Sequence, residues 1–373
     1  MNFLTLVGKN LLRRPTRSLL TMTGIAVGIA AVVALSSIAW GFQRSWAQAY
    51  TARGTDLIVT RVTSRDPLPP PFGDAIKDDL RRLPRVQGVT GLLSDMVSIE
   101  DAPTVLVFGW EREGFLWGHL KLAQGRWPAD DSEKTVVIGT VAAEMLKKSV
   151  GDTLHIETDD FRICGTFTSA AFVENGTVIM ALRQMQRVMD YEGKVNFLNL
   201  KLAPGTTDRE VEALRQTIKA RFSGYNAFTG GEVAQNNTAI QAAKAMSWAT
   251  SLIALVVGAV GVTNTMLMSV FERIHEIGIL LAIGWRRRRI MRLILSESIT
   301  LSLVGGLIGI LLGLAAVSLL QATPWIRGKI EGEFDLPLIA LALVIALGLG
   351  ALGGLYPAYR GSRLHPSEAL RYE

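Results

Sequence analysis

The sequence contains few of the residues from which metal and thiol sites are built. Its 373 residues include one cysteine and four histidines, namely Cys164, His119, His155, His275 and His365. A single thiol excludes an intrachain disulfide and a thiolate cluster, so we expect the cysteine to be a small buried apolar residue. The histidines are spread too widely for HExxH or a comparable ligand spacing. No metal site is predicted.

Motifs for nucleotide and ester hydrolysis are also missing. No GxxxxGK[ST] phosphate-binding loop occurs, because the glycine-lysine pair at Lys329 lacks both the upstream glycine and the hydroxyl residue. Neither a GxSxG elbow nor paired carboxylates beside an activated nucleophile are present. We therefore predict that the chain is not an enzyme, with no catalytic and no cofactor-binding residue.

Charged residues account for only 19% of the chain, whereas hydrophobic residues account for 49%. That balance is too apolar for an ordinary soluble protein and too charged for a chain lying wholly in a membrane. The net charge of +6 could suggest nucleic acid, but the arginines concentrate beside apolar segments, where orientation in a membrane explains them. A membrane protein with a soluble part and no nucleic-acid partner is predicted.

Four long segments are nearly free of charge, and each can cross the roughly 30 Å hydrocarbon core as a helix. We predict transmembrane helices at 18–40, 246–270, 291–323 and 336–358. A cleaved signal peptide is the alternative for the first segment, but its apolar core would span only about 7 to 15 residues. Glu297 in the third segment is predicted to be an interfacial carboxylate, with a buried proton carrier as the alternative.

Basic residues predict the orientation of these spans. The N-terminus at 1–17, the loop at 271–290 and the tail at 359–373 are basic, whereas the loop at 324–335 is richer in acidic residues. Because basic loops stay in the cytoplasm, we expect both termini there and 324–335 outside. The run Arg286–Arg289 is expected to anchor this orientation and to meet anionic membrane lipids.

The region 41–244 is predicted to be an α+β domain with stalk helices at both ends. Short β-branched runs bounded by Gly, Pro and Asp predict strands, and helices intervene without strict alternation. The predicted fold class is an α-helical membrane protein with four transmembrane helices plus an extracytoplasmic α+β domain inserted between the first and second spans. The strand runs are DLIVTRV, PTVLVFGW, TVVIGT, DTLHIET, FRICGTF, GTVIMAL and FLNLKLA.

Two helices of this domain have candidate N-terminal caps. Thr207 and Glu210 form a predicted capping box, and Asp74 is predicted to cap a second helix. The apolar stripes assigned to these helices are Val211, Leu214, Ile218 and Phe222 for the first, and Ile76, Leu80 and Leu83 for the second. The tryptophans of the domain, Trp110, Trp117 and Trp127, are predicted to pack its interior rather than to line a ligand site.

The loop 271–290, FERIHEIGILLAIGWRRRRI, is predicted to begin with an amphipathic helix. Apolar residues recur there at spacings of three and four and can share one helical face, while polar residues point elsewhere. The apolar set is Phe271, Ile274, Ile277 and Leu281, and the polar set is Glu272, Arg273, His275 and Glu276.

Small residues recur inside the predicted spans at the GxxxG spacing, which lets two helix backbones approach closely. Packing within one chain is favoured over a dimer seam for each motif. The predicted packing residues are Gly24, Gly28, Gly305, Gly309, Gly313, Gly350 and Gly354.

Several motifs stand in register along the chain and together resemble one protein family. HEIGILLAIGWRRRRI followed by ILSESITLSLVGGLIGILLG is similar to the cytoplasmic loop and third span of the MacB/FtsX family of ABC transporter permeases. The tail YPAYRGSRLHPSEALRYE resembles its ending, and GRWPADDSEKTVVIGTVAAEMLKKSVGDTLHIETDDFRICGTF resembles its MacB-type outer domain. The likeness covers nearly the whole chain.

The resemblance implies that ATP hydrolysis takes place on another polypeptide. In this family two permeases pair, and each docks on a cytoplasmic ATPase subunit that carries the Walker motifs and binds ATP and Mg. The loop would be the coupling helix, with His275 standing where the family often has arginine. Glu272, Arg273, His275 and Glu276 are the implied contacts with the ATPase, while Ile274, Ile277 and Gly278 would pack the helix on the membrane domain.

The implied function is that of a permease subunit in a bacterial cytoplasmic (inner) membrane. ATP-driven movement of its extracytoplasmic domain would export or extract a hydrophobic, peptide or lipid-linked substrate by mechanotransmission. The alternative is a signalling subunit that activates an extracytoplasmic partner such as a cell-wall enzyme. Implied partners are the ATPase, a second copy in a homodimer and, for efflux, a membrane-fusion protein.

Overall fold

A computed structural model describes residues 15–61, 68–99, 104–236, 238–323, 332 and 334–364. The chain divides into two compact units. The first takes its described residues from Met1–Ala39, Ala243–Leu320 and Gly332–Glu373, and the second from Trp40–Ala242 and Gln321–Glu331. Most of the predicted basic N-terminus, of the outer loop 324–335 and of the tail 359–373 lies outside the described residues.

The helices of the described residues are of two sizes, four long and the others short. In chain order they are α1 (Pro15–Ala52), α2 (Ile76–Arg81), α3 (Thr140–Leu146), α4 (Leu182–Val188), α5 (Asp208–Arg221), α6 (Gly230–Asn236), α7 (Thr238–Glu272), α8 (Ile274–Ala282), α9 (Arg287–Ala322) and α10 (Leu336–Ser362). Two short 3₁₀ helices cover Phe115–His119 and Phe172–Gly176.

Helices α1, α7, α9 and α10 are long and apolar enough to cross a membrane, so four candidate spans lie within the described residues. Each is longer than the segment predicted for it. Helix α9 has 36 residues, which at roughly 1.5 Å per residue exceeds the roughly 30 Å hydrocarbon core. Helix α1 continues past residue 40 to Ala52 because no proline interrupts the intervening sequence.

All strands of the described residues belong to the second unit. They are β1 (Leu57–Arg61), β2 (Phe72–Gly73), β3 (Val86–Val97), β4 (Val105–Trp110), β5 (Lys121–Gly125), β6 (Thr135–Gly139), β7 (Thr153–Ile156), β8 (Asp159–Thr168), β9 (Val178–Ala181), β10 (Lys194–Val195), β11 (Phe197–Leu202) and β12 (Tyr225–Phe228). Each predicted run overlaps one of these strands, and β8 extends beyond its run at both ends. Strands β2, β3, β5, β10 and β12 were not predicted.

The strands form a mixed 10-stranded sheet in the order β12-β1-β11-β3-β4-β9-β6-β8-β5, with β7 paired to β8. Most neighbours are antiparallel, but β4 pairs with β9 and β6 with β8 in parallel. Strands β2 and β10 form a separate small ladder. Helices and strands therefore mix without a repeating βαβ order, and the α+β class is confirmed.

Both faces of the sheet are covered. Leu57 and Val59 of β1 belong to one core cluster, which also includes Leu214 and Ile218 of α5. The residue between them, Ile58, points to the opposite face and belongs to a second cluster with Trp110. Alternation along a strand sends successive side chains to opposite faces, so two buried faces require a nearly continuous apolar strand.

One of the two predicted helix caps is present. Thr207 and Glu210 form the capping box of α5, with both reciprocal hydrogen bonds. The predicted cap at Asp74 is wrong, since α2 has Ala75 at its N-cap position without a side-chain cap. Only the backbone carbonyl of Asp74 takes part, accepting from the N–H of Lys77 at 2.9 Å.

Candidate functional site

The loop between the second and third spans contains the short helix α8. Helix α7 ends at Glu272, and α8 begins at Ile274. Arg273 separates them with a non-helical backbone, at φ −113° and ψ 18°. Phe271 is therefore a residue of α7 and is 44% exposed, so its predicted place on the apolar face of the loop helix is wrong. Its ring instead lies under the guanidinium of Arg360, 4.9 Å from its centre.

Helix α8 has one buried and one exposed face. Ile274, Ile277 and Gly278 are buried. Ile277 belongs to a cluster with Val270, Ile290, Ile294 and Ala358, residues of the three neighbouring long helices. The side chains of the other face, Glu272 at the end of α7 and His275 and Glu276 on α8, are exposed. The loop thus presents a polar surface to solvent, while its apolar face packs on the long helices.

Arg273 pairs with a carboxylate buried among the long helices. Its Nη1 donates to Oε2 of Glu297 at 3.2 Å, and its Nε donates to Oε2 of Glu276 at 3.1 Å. Glu297 lies on α9 and is only 5% exposed. The side chain is buried within the protein and paired with an arginine of the loop, and its position at the membrane interface stays a prediction. A charge in an apolar span usually has such a partner, which was the available signal.

Helix α8 ends in a Schellman motif. Gly284 has φ +92°, a left-handed conformation that suits glycine. The N–H of Trp285 donates to the carbonyl of Leu280 at 3.0 Å, and that of Gly284 donates to Leu281 at 3.1 Å. These two bonds satisfy the last carbonyls of the helix and turn the chain sharply into α9.

The arginine run follows this turn. Arg286 to Arg289 are all exposed, and the guanidinium of Arg289 lies over the ring of Trp285, 4.1 Å from its centre. A tryptophan and several arginines at the end of a long apolar helix are typical of the membrane–water interface.

Glycines of α9 bring it against α1. A β-carbon at Gly309 would lie 2.6 Å from the carbonyl oxygen of Ala26, and one at Gly313 would lie 2.9 Å from Cβ of Val33. A β-carbon at Gly305 would lie 3.1 Å from the carbonyl oxygen of Met22, a slightly looser approach. A larger residue at any of these positions would force the two helices apart.

Glycines of α10 bring that helix against α9 as well. A β-carbon at Gly350 would lie 2.9 Å from Cβ of Ser302, and one at Gly354 would lie 2.6 Å from Cβ of Ser298. The hydroxyl of Ser298 also donates to the carbonyl of Gly350 at 2.7 Å. Gly28 of α1 similarly approaches α7, whereas Gly24 has no heavy atom within 4 Å of a β-carbon and does not pack within the described chain.

Within the part of the α+β domain that the structure describes, the candidate ligand residues do not converge on a metal site. Among its described residues, as in the rest of the described chain, no group of three His, Cys, Asp or Glu side chains could hold a metal ion. Trp110, Trp117 and Trp127 pack edge to face, with ring centres 5.4 Å and 5.6 Å apart, and belong to or pack against one buried cluster. Cys164 is buried, and its thiol donates to the carbonyl of Val136 at 3.3 Å.

Four apolar helices and an α+β domain inserted after the first of them define a multi-pass membrane protein with a large domain outside the membrane. Residues 18–218 match the MacB-like periplasmic core domain, and residues 248–366 match the FtsX-like permease C-terminal domain. The chain belongs to this family of ABC transporter permeases. Membership places the α+β domain outside the cytoplasm and implies an ATPase partner.

Similar proteins cover nearly the whole chain. An ABC transporter permease of Methanocaldococcus jannaschii is 27% identical over 100% of this chain and 98% of its own length. A macrolide export ATP-binding/permease protein MacB of Chlorobium luteolum is 30% identical over 96% of this chain and 58% of its own. A pyoverdine export ATP-binding/permease protein PvdT of Pseudomonas fluorescens is 30% identical over 96% and 57%. The chain thus spans somewhat over half of the latter two relatives.

Proposed function

We propose that this chain is the permease subunit of an exporter whose ATP hydrolysis, with Mg, takes place on a separate ATPase. Movement driven by that ATPase would pass through the long helices to the extracytoplasmic domain, which exports or extracts a hydrophobic, peptide or lipid-linked substrate. The proposed place is a bacterial cytoplasmic membrane, with both termini in the cytoplasm. The basic loop and the exposed arginines after α8 support that orientation.

The two-faced environment of α8 carries the proposal. Its apolar face is buried among residues of α7, α9 and α10, so a force on α8 would act on all three helices. Its polar face, with His275 and Glu276, and the neighbouring Glu272 at the end of α7 are exposed and can meet a protein. Arg273 is half-buried and bonded to Glu297, which supports a positioning role for it more than a direct contact with the ATPase.

The exposed side chains of the loop would bind the ATPase through electrostatic attraction. Glu272 and Glu276 present carboxylates, and such groups at an interface rim favour a basic patch on the partner. Two copies of the permease would be needed to receive two ATPase subunits, so we propose a homodimer. The exposed apolar residues of α7, including Trp248 and Val257, face either lipid or that second copy.

Export is favoured over signalling because the relatives named above for export match almost the entire chain, including the extracytoplasmic domain. Their names join an ATP-binding part to the permease, which supports the proposal that this permease works with an ATPase. A membrane-fusion protein is a further proposed partner for efflux.

Affinity purification from native membranes in mild detergent tests the proposal. We expect a P-loop ATPase to co-purify with the tagged chain in near-equal amount. Crosslinking with a single-cysteine His275→Cys variant, on a Cys164→Ala background, should link this position to the same ATPase. Recovery of the chain with an extracytoplasmic cell-wall enzyme and an ATPase would favour signalling. Recovery without any ATPase would contradict both functions.

A further inference from the structure

The C-terminal end of α1 is fixed inside the extracytoplasmic domain by a buried arginine. Arg53 follows α1 directly, and its N–H still donates to the carbonyl of Ala49 at 3.0 Å. Its side chain is 1% exposed, and its Nε donates to Oε1 of Glu174 at 2.7 Å. The guanidinium also lies over the rings of Phe108 and Trp110, 4.9 Å and 5.2 Å from their centres. A buried charge in this setting is held in one place.

Glu174 is held in turn from the interior of the domain. Its Oε2 lies 2.7 Å from Nε2 of His119, and the hydroxyl of Ser169 donates to the same oxygen. Nδ1 of His119 lies 2.8 Å from the carbonyl oxygen of Leu116. Both ring nitrogens of His119 thus lie within hydrogen-bond distance of oxygen atoms, one of them on the carboxylate. Glu174 therefore joins Arg53, which follows α1, to His119 and Ser169 in the interior of the domain.

The 3₁₀ helix Phe172–Gly176 contacts α1 at a second point. The N–H of Val173 donates to the hydroxyl of Ser45 at 3.1 Å, two helical turns before Arg53. The same short helix packs closely on the sheet, since a β-carbon at Gly139, at the end of β6, would collide with the backbone of Asn175. One segment therefore contacts both α1 and the sheet.

We propose that this contact between α1 and the 3₁₀ helix Phe172–Gly176 is the joint through which α1 moves the mixed sheet, and that Glu174 is its positioning residue. The inference rests on the proposed function, because it assigns the place where motion of a span enters the extracytoplasmic domain. Two contact points along α1 resist both rotation and tilting of the helix, whereas a single contact would allow it to pivot.

The first test follows the joint within one chain. Spin labels at Gln48→Cys on α1 and Met96→Cys on β3, on a Cys164→Ala background, report the distance between helix and sheet. We expect one narrow distribution for the otherwise wild-type chain and a broadened one after Glu174→Gln, which keeps the shape but removes the charge. Glu111→Gln is the matched control, because Glu111 pairs with Lys77 of the domain and not with a residue of α1 or with Arg53. An unchanged distribution in Glu174→Gln would overturn the proposal.

The second test uses the complex with the ATPase. A dye on Met96→Cys reports ATP-dependent movement of the sheet, and phosphate release reports hydrolysis. We expect Glu174→Gln to keep most of the ATPase rate while its dye response falls about fivefold or more. A purely structural defect would lower both readouts together. Equal dye responses in Glu174→Gln and Glu111→Gln would contradict the joint.

Two further outcomes are separable. If Glu174→Gln does not fold, Ser45→Ala removes the other contact point more gently and should broaden the spin-label distribution in the same direction. If the wild-type chain binds no ATPase, the proposed function fails, while the one-chain distance measurement still decides whether Glu174 fixes α1 to the sheet.

Discussion

Arg273 and Glu297 form an ion pair between the break in the loop and the third span, with Nη1 3.2 Å from Oε2. The carboxylate is buried and the guanidinium is about one-fifth exposed. Arg273 also reaches Glu276 on the exposed side of α8. Through Arg273, the exposed carboxylate of Glu276 is therefore connected to Glu297 on α9. The ion pair thus links the proposed ATPase-contacting surface of α8 to the third span.

Breaking this pair from one side should be more damaging than removing it altogether. Arg273→Met leaves a buried carboxylate without its cation, and we expect a loss near the lower end of ~3–5 kcal/mol because Arg273 is partly exposed. The double variant Arg273→Met/Glu297→Leu should recover most of that loss. Thermal unfolding in detergent measures both, with the exposed Arg286→Met as the control. A double variant no more stable than Arg273→Met would contradict this account.

The seam between α1 and α9 should tolerate no added methyl group. Gly309→Ala would place a β-carbon 2.6 Å from the carbonyl oxygen of Ala26, so we expect a destabilisation of about 1–3 kcal/mol. Gly24→Ala is the matched control on the facing helix, where the β-carbon meets open space. It should leave the unfolding temperature unchanged or raise it slightly, since alanine favours helix. Equal losses in the two variants would refute a seam specific to Gly309.

The turn after α8 should require a residue that adopts the left-handed backbone conformation at position 284. Gly284→Ala keeps the polarity but strains the backbone at φ +92°, at a cost of about 1 kcal/mol. We expect it to lower the ATPase rate of the assembled complex, because the turn sets how α8 joins α9. Gly284→Asn should be milder, since asparagine accepts this conformation more readily. If alanine and asparagine behave identically, the Schellman geometry does not matter for coupling.

Acid should weaken the extracytoplasmic domain. Burial would raise the pKa of Glu174, but Arg53, His119 and Ser169 outweigh that effect and hold it below its usual value. Hydrogen bonds lower the pKa of Glu210 to about 2. Because the folded-state pKa of each carboxyl group is depressed, the group stabilises the domain at a pH above its unfolded-state pKa of about 4.3. That stabilisation is lost as the pH falls through the folded-state pKa.

Unfolding temperatures at pH about 5 and about 3 test this sign. We expect a clear fall at the lower pH, and a smaller difference between the two values in Glu174→Gln, which has no carboxyl group to titrate there. A midpoint independent of pH in this interval would contradict the assignment.

Local patterns predicted the strands with continuous β-branched runs, but not β3 or β5. Strand β3 contains Gly88 and Gly91, and a β-carbon at Gly91 would lie 2.8 Å from Oε1 of Glu111. A glycine at position 91 therefore makes room for a side chain that follows another strand, a contact that the local sequence does not show. All residues of β5 are exposed, which removes the alternation by which a strand is recognised.

The loop helix shows the same limit. Spacing predicted its buried face at Ile274 and Ile277, yet gave a continuous helix from Phe271 because nothing local marks the break at Arg273. The residue that holds that break, Glu297, is distant in sequence and lies on another helix. The joint at Arg53 and Glu174, 121 residues apart, was not predicted for the same reason. Partners across the fold follow from topology, which periodicity does not reveal.

The most direct test of the account is the ATPase rate of the co-purified complex in lipid for the wild type and for Glu276→Arg. This substitution reverses one exposed charge on α8, and Glu113→Arg, an exposed site in the extracytoplasmic domain, is the control. We expect Glu276→Arg to release the ATPase or uncouple its hydrolysis, while Glu113→Arg behaves as wild type. If Glu276→Arg retains both the bound ATPase and the wild-type rate, α8 is not the element that receives the ATPase.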